Sequence, residues 1–265
     1  MKKNFPTEFV YQIFSLLIAI IVVHAIYVAV IRPDARAFME QEAQSMQADP
    51  NYVAKRSLAV IVKDYEQEAC FILMLWAFAI IIYKAVVAHR QRLLLDKELI
   101  LLSEDMRILP QDTRALSRTI QELPAAAQAF LLPRALRVAL QRFAATGNIQ
   151  DVSTSVREIS ESEAERMESE LSIIRYIAWA IPSIGFIGTV RGIGDALGQA
   201  HKAVTGDITG VTQSLGVAFN STFIALVISI VLMFFIHQLQ LMQERLVLDT
   251  EYYCDEHLIR HLQVP

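Results

Sequence analysis

Charge is scarce in this sequence. Only 20% of its 265 residues are Asp, Glu, Lys or Arg, against 54% hydrophobic residues, and the net charge is −4. Mean hydropathy is +0.37, which is high for a soluble domain and directs attention to membrane spans. There is no basic stripe and no zinc-ligand spacing, so no nucleic-acid partner is expected. Cysteine is nearly absent: Cys70 and Cys254 alone build neither a disulfide framework nor a metal site. No nucleophile–base pair, metal cluster, phosphate loop, kinase motif or cyclase motif appears, which argues against an enzyme, and no cofactor is expected. Glycine is also rare, at nine residues, yet five of the nine fall between Gly185 and Gly198.

Long apolar runs dominate the rest. A helix needs roughly 20 apolar residues to cross a bilayer, and four stretches qualify: 9–31, 69–87, 173–194 and 211–236. The first run is too long for a cleaved signal peptide and ends in Ile31-Arg32-Pro33, so it reads as a retained span. Lys2 and Lys3 precede the first run, Lys84, Arg90, Arg92 and Lys97 border the second, Arg166 and Arg175 the third, and Arg245 follows the fourth. Positive residues gather on the cytoplasmic side. The expected order is therefore a cytoplasmic N-terminus (1–8), an outer helical cap (32–68), a cytoplasmic helical domain (88–172), an outer loop (195–210) and a cytoplasmic C-terminal helix (237–265). That arrangement puts Cys70 and Cys254 on opposite sides, where they cannot bridge. The fold class is an all-α integral membrane protein, with four transmembrane helices carrying long cytoplasmic helical extensions.

Within 88–172 the punctuation predicts helices over 88–109, 112–123 and 133–146, stopped by Pro110, Pro124 and Gly147-Asn148. Ser155 and Glu158 have capping-box spacing, which predicts a helix start there that runs on into the third span. Glu161, Glu163, Glu165, Glu168 and Glu170 lie on this helix. They form a solvated acidic face or, in a ring of subunits, an acidic cytoplasmic ring of Glu161, Glu165 and Glu168 that concentrates cations. His24, alone in the first span, reads as a packed or lipid-facing side chain.

The third and fourth spans carry the sharper signals. Gly185, Gly188 and Gly192 recur at i, i+3 and i+7, and Pro182 is expected to kink the helix. Helices in lipid associate through close backbone contact between small residues, so these glycines, with Ala218 and Ala225, offer a face for static packing or for a partner helix. Counting about 1.5 Å per residue from the outer ends, Thr189 and Thr222 lie at roughly 14 and 16 Å depth. Asn220 and Ser221 stand beside Thr222. A membrane threonine ordinarily bonds its own i−4 carbonyl. Two at one depth on thinned faces equally suit an ion pathway of Thr189, Thr222, Ser221 and Asn220. An ion path also needs a titrating group at mid-membrane. Asp195 is expected to pair with Arg191 four residues earlier, so the acid is expected from another subunit.

Pro182-Ser-Ile-Gly-Phe-Ile-Gly-Thr-Val-Arg-Gly-Ile resembles the P-x-x-G-L-[LF]-G-T-V-x-G-[IM] signature of the MotA/TolQ/ExbB proton channel family. Gly216-Val-Ala-Phe-Asn-Ser-Thr-Phe-Ile-Ala-Leu resembles its second signature more loosely. The resemblance covers roughly 70–240. The sequence departs from the pattern at Arg191, often tryptophan, at Val217, where a glutamate occurs, and at Ala225, usually glycine. The resemblance implies a homo-pentamer around a dimer of a MotB/TolR/ExbD-like single-span protein bearing an essential aspartate, in the bacterial inner membrane. It also implies that Thr189 and Thr222 are the pore threonines, and that H+, or alternatively Na+, is translocated to drive mechanical work. The competing reading is a non-conducting membrane scaffold or sensor.

Overall fold

The computed structural model describes residues 7–48, 57–97, 99 and 107–264; the expected N-terminal lysines and most of 98–106 lie outside them. The described chain is helical, apart from one parallel bridge between Ile108 and Leu262. Four helical stretches are long and apolar enough to cross a membrane: Glu8–Ser45, Tyr65–Leu95, Ile149–Gly198 and Thr209–His261. The chain divides into two units, 1–81 with 173–236, and 82–172 with 237–265.

In the first unit, α1 (Thr7–Ile26) passes through a π-helical turn (Tyr27–Ile31) into α2 (Arg32–Ala48). The apolar run ends at Ile31-Arg32-Pro33 but the helix does not, and the reason is local. Pro33 has no N–H for the Ala29 carbonyl and its ring would collide with it. The helix widens by one residue instead: the Arg32 N–H bonds to the Tyr27 carbonyl, and the helix resumes. A short α3 (Leu58–Val62) leads to α4 (Tyr65–Leu95). Polar tips tie α1 to α4, with Tyr11 donating to the Ala79 carbonyl at 3.1 Å and Trp76 Nε1 donating to the Gln12 carbonyl at 2.9 Å. The hairpin is made by α9 (Ser172–Gly198), the short α10 (Ala200–Val204) and α11 (Thr209–His257). Pro182 lies inside α9 and leaves the Ala178 carbonyl without its helical donor. Ser229 of α11 supplies one, its hydroxyl donating to that carbonyl at 3.1 Å. Where no water is at hand, such a replacement makes an intramembrane proline tolerable.

The second unit contains α5 (Thr113–Gln121), α6 (Ala125–Gln128), α7 (Leu131–Thr146) and α8 (Ile149–Glu170), with the ends of α4 and α11. Its core is an ordinary apolar one. Leu132, Leu136, Leu140 and Phe143 of α7 pack with Val152 and Val156 of α8 and with Tyr253, Cys254 and Leu258 of α11. Gly147 closes α7 in the left-handed region (φ 63°). The start of α8 differs from the expected capping box. Asn148 is the cap, accepting from the Gln150 N–H at 2.9 Å, and Ser155 lies a turn and a half inside the helix, bonded to the Asp151 carbonyl and to Arg142. The Asx-type cap takes the first free N–H groups, so no later start is needed. Cys254 is sealed in this core, and burial pushes its thiol up to about 12.

Candidate functional site: a hydroxyl pair in a glycine seam

The glycine-rich helix meets α11 at backbone distance. A Cβ on Gly185 would lie 2.4 Å from the Ala225 Cβ, one on Gly188 would lie 2.5 Å from the Ser221 Cβ, and one on Gly192 would lie 2.8 Å from the Ala218 Cβ. Real Cβ atoms do not approach so closely, so glycine is required at all three positions. The three glycines descend α9 as Ala225, Ser221 and Ala218 ascend α11, which makes one antiparallel seam. Of the two uses expected of these small residues, the structure shows static packing and not a face left open for a partner helix: Gly185, Gly188, Gly192, Ala218 and Ala225 are buried against each other within one chain. The lipid-like exposed faces of these helices carry large side chains instead, Trp179, Phe186 and Val190 on α9 and Phe219, Phe223 and Ile230 on α11.

Thr189 and Thr222 meet at the edge of this seam, both half-buried. Their Oγ1 atoms are 2.5 Å apart. Thr189 Oγ1 is also 2.9 Å from the Ala218 carbonyl and 3.4 Å from the Gly185 carbonyl, and Thr222 Oγ1 is 3.1 Å from the same Gly185 carbonyl. Two protons therefore have three acceptors, two carbonyls and a neighbouring hydroxyl. Either threonine can donate to the other while the second donates to a carbonyl, and rotation of the two hydroxyls interconverts the patterns. Such a pair can offer a lone pair to a passing cation, or a proton to a passing acceptor, without leaving a buried group unpaired for long. Thr189 keeps an i−4 contact as well, but its shorter bonds cross to α11. Ser221 is beside them, 1% exposed. Its Oγ has no partner. Asn220 is half-buried and stands outside this group.

The electrostatics differ from the sequence reading in two places. Arg191 does not pair with Asp195: its Nε and a terminal nitrogen hold the two carboxylate oxygens of Glu66 at 2.7 and 2.8 Å. The Glu66 Cγ comes within 3.2 Å of the Cβ position at Gly188, next to Thr189. His24 is not an idle side chain either. Its Nδ1 is 2.7 Å from the Glu68 carboxylate, whose other oxygen takes Arg32. Both carboxylates stand in the first turn of α4, ahead of the apolar run, where acids favour the helix dipole. The readable signals were the Glu66-Gln67-Glu68 triplet abutting an apolar helix and an arginine within the glycine-rich stretch of another, since a cation in a membrane helix calls for a counter-ion.

In the second unit the acidic residues separate by role. Glu163 is 2% exposed and bonds Arg134 at 2.8 Å and Arg166, so it joins α7 to α8. Glu170 takes Lys84 at 2.9 Å. Glu161 makes an i,i+4 pair with Arg157 at 2.7 Å on the surface. Glu165 and Glu168 are exposed and line a cavity of about 220 Å³ with Gln243 and Glu244 of α11.

Comparison with known proteins agrees with the geometry. Residues 127–252 match the family model described as the MotA/TolQ/ExbB proton channel family, a span that includes α7, α8, the hydroxyl pair and its whole glycine seam. No curated protein and no solved structure matches the chain. The match takes in Pro182, Gly185, Gly188 and Thr189 of the third long helix and Thr222 of the fourth, and it supports membership of this multi-pass helical membrane protein in the MotA/TolQ/ExbB proton channel family.

Proposed function

We propose that the chain is the channel-forming stator subunit of an ion-driven motor in the bacterial inner membrane. Five copies surround two copies of a MotB/TolR/ExbD-like protein with one membrane helix and an aspartate. Both termini and the second unit lie in the cytoplasm, and the 199–208 hairpin faces the periplasm. Protons are the preferred ion. They move between the partner's aspartate and the Thr189–Thr222 pair, and the exchange turns one component against the other. The acidic side chains Glu161, Glu165 and Glu168 face the cytoplasmic exit.

The hydroxyl pair carries this reading. Helix packing alone would be served by alanine or serine at 189 and 222. Two threonines whose protons can be redistributed among three acceptors supply what an ion path needs. The partner's acid rests on family membership, because Glu66 of this chain is already neutralised by Arg191. The reading is tested by the mass and composition of the intact complex purified from native membranes. Five copies with two of a short single-span protein are expected; a monomer or dimer with no such companion would leave the seam as packing alone.

A further inference from the structure

Two helices of the second unit leave a gap that neither fills. On α8, Ala164, Met167, Glu168 and Leu171 recur at i, i+3, i+4 and i+7. On α11, Gln240, Gln243, Glu244 and Val247 do the same, so one face of each helix lines the cavity of about 220 Å³. Its floor is apolar: Met167, Leu171 and Val247 are each less than a tenth exposed. Its charge is of one sign, from Glu165, Glu168 and Glu244, and no Lys, Arg or His is among the lining residues. Arg166, next to Glu165, is turned to Glu163 and Glu170. Glu165 itself makes no ion pair or hydrogen bond among the described residues. Exposed carboxylates alone are a solvated face, but Gln243 sets this face apart. It is 7% exposed, it lines the cavity, and its amide has no hydrogen bond to a described residue. Buried amides ordinarily find partners, so this one calls for a partner inside the cavity. Water would meet the amide but leave the apolar floor wet.

We propose that this cavity binds a small organic cation, a primary amine or guanidine carried on an apolar body of about one ring. The size sets the class. An apolar cavity of about 150 Å³ takes benzene, so this one holds a ring with a short charged arm. It is smaller than the roughly 300 Å³ at which sites for drug-sized ligands begin. The apolar body lies on Met167, Leu171 and Val247. The cationic group donates to the Glu165 carboxylate and, by a second N–H, to the Gln243 side-chain oxygen. Glu168 and Glu244 add attraction without needing direct contact. An anion is repelled by all three carboxylates, and a neutral ligand forgoes them. The proposal uses residues of the second unit alone and stands whether or not the chain conducts ions.

The test is fluorine NMR of para-fluorobenzylamine titrated into the complex purified from native membranes and held in phosphatidylcholine nanodiscs, with empty nanodiscs as the partition control. Saturable line broadening is expected. Para-fluorobenzyl alcohol, the same ring without the charge, is expected to bind about tenfold more weakly, the equivalent of one charge-assisted hydrogen bond. Glu165→Gln and Gln243→Leu keep the shape of the cavity and are each expected to weaken the amine by a similar factor. Glu161→Gln, on the same helix but outside the cavity and paired with Arg157, is expected to change nothing. No saturable binding overturns the proposal, as do equal affinities for amine and alcohol. Wild-type affinity in both cavity variants overturns it too, and equal weakening by Glu161→Gln would reduce the effect to the general field of an acidic face. Should Gln243→Leu not assemble, Glu165→Gln decides, because Glu165 is exposed. Binding seen only in dissociated single chains would mean that a basic side chain of a neighbouring copy fills the cavity, which overturns a site for a free ligand.

Discussion

The two ends of α11 are held by opposite means. Toward its start, Ala218, Ser221 and Ala225 lie against glycines, and the contact is made by backbone and hydroxyls. Toward its end, Leu246, Val247, Tyr253, Cys254 and Leu258 lie in leucine- and valine-rich clusters, and the polar contacts include a charged pair, Arg92 with Asp249 at 3.8 Å. The difference follows from what surrounds each part. Lipid is as apolar as leucine, so burying leucine gains nothing between membrane helices, and only close approach and hydrogen bonds remain. Where water competes, about 25 cal/mol per Å² of buried apolar surface is available, and large side chains win. One helix can thus serve a polar, thinly packed path and a conventional core along its length.

The contrast can be broken most severely at Gly188. Gly188→Val places a branched side chain where even a Cβ is 2.5 Å from Ser221. We expect complete loss of the assembled complex, seen as loss of its mass after purification. A core truncation should act on the other unit. Phe143→Ala, at a fully buried position, is expected to cost about 3–5 kcal/mol, read from denaturant unfolding or from early proteolysis of 107–172. Glu163→Gln strands Arg134 and Arg166, but both are partly exposed, so the expected loss is about 1–3 kcal/mol, smaller than for a sealed pair. Ser229→Ala leaves the Ala178 carbonyl opposite Pro182 without a donor. Intramembrane hydrogen bonds of this kind contribute about 0.6–1.7 kcal/mol, measurable as a small fall in the thermal midpoint in detergent. The weakest effect belongs to the hairpin. The Thr209 backbone N–H donates to Asp207 and holds its carboxyl below the usual carboxylate range. A depressed folded value means the contribution is present above the ordinary carboxylate pKa and fades as pH falls through the lowered one. An NMR titration of Asp207 should give the lowered midpoint, and Asp207→Ala should abolish the acid-side change without altering assembly.

The four long helices were legible because length and hydropathy set them, and Gly147 and Pro124 marked boundaries that the structure keeps near. The Thr189–Thr222 meeting was legible because helical rise is fixed, so depth can be counted from either end of a hairpin. Three features were not. Pro110 suggested one helix over 88–109, yet α4 ends at Leu95 and Ile108 forms a bridge to Leu262, a pairing with a residue 154 positions away that local punctuation does not reveal. Ser155 has capping chemistry, but Asn148 reaches the free N–H groups first. The partner of Arg191 was hidden because spacing favoured Asp195, while Glu66 is 125 positions away and comes near only after α4 packs beside α9. Local rules give helices and caps; which charge meets which across helices is a tertiary fact.

The central claim is that Thr189 and Thr222 carry ions. The direct measurement is proton flux through the intact complex in liposomes, comparing wild type with Thr189→Val and Thr222→Val, each checked for unchanged mass. Valine keeps the volume and removes the hydroxyl. We predict that flux falls at least tenfold in each variant while the complex stays whole. Wild-type flux in whole complexes of both variants would contradict the account and leave the threonines as helix-packing residues.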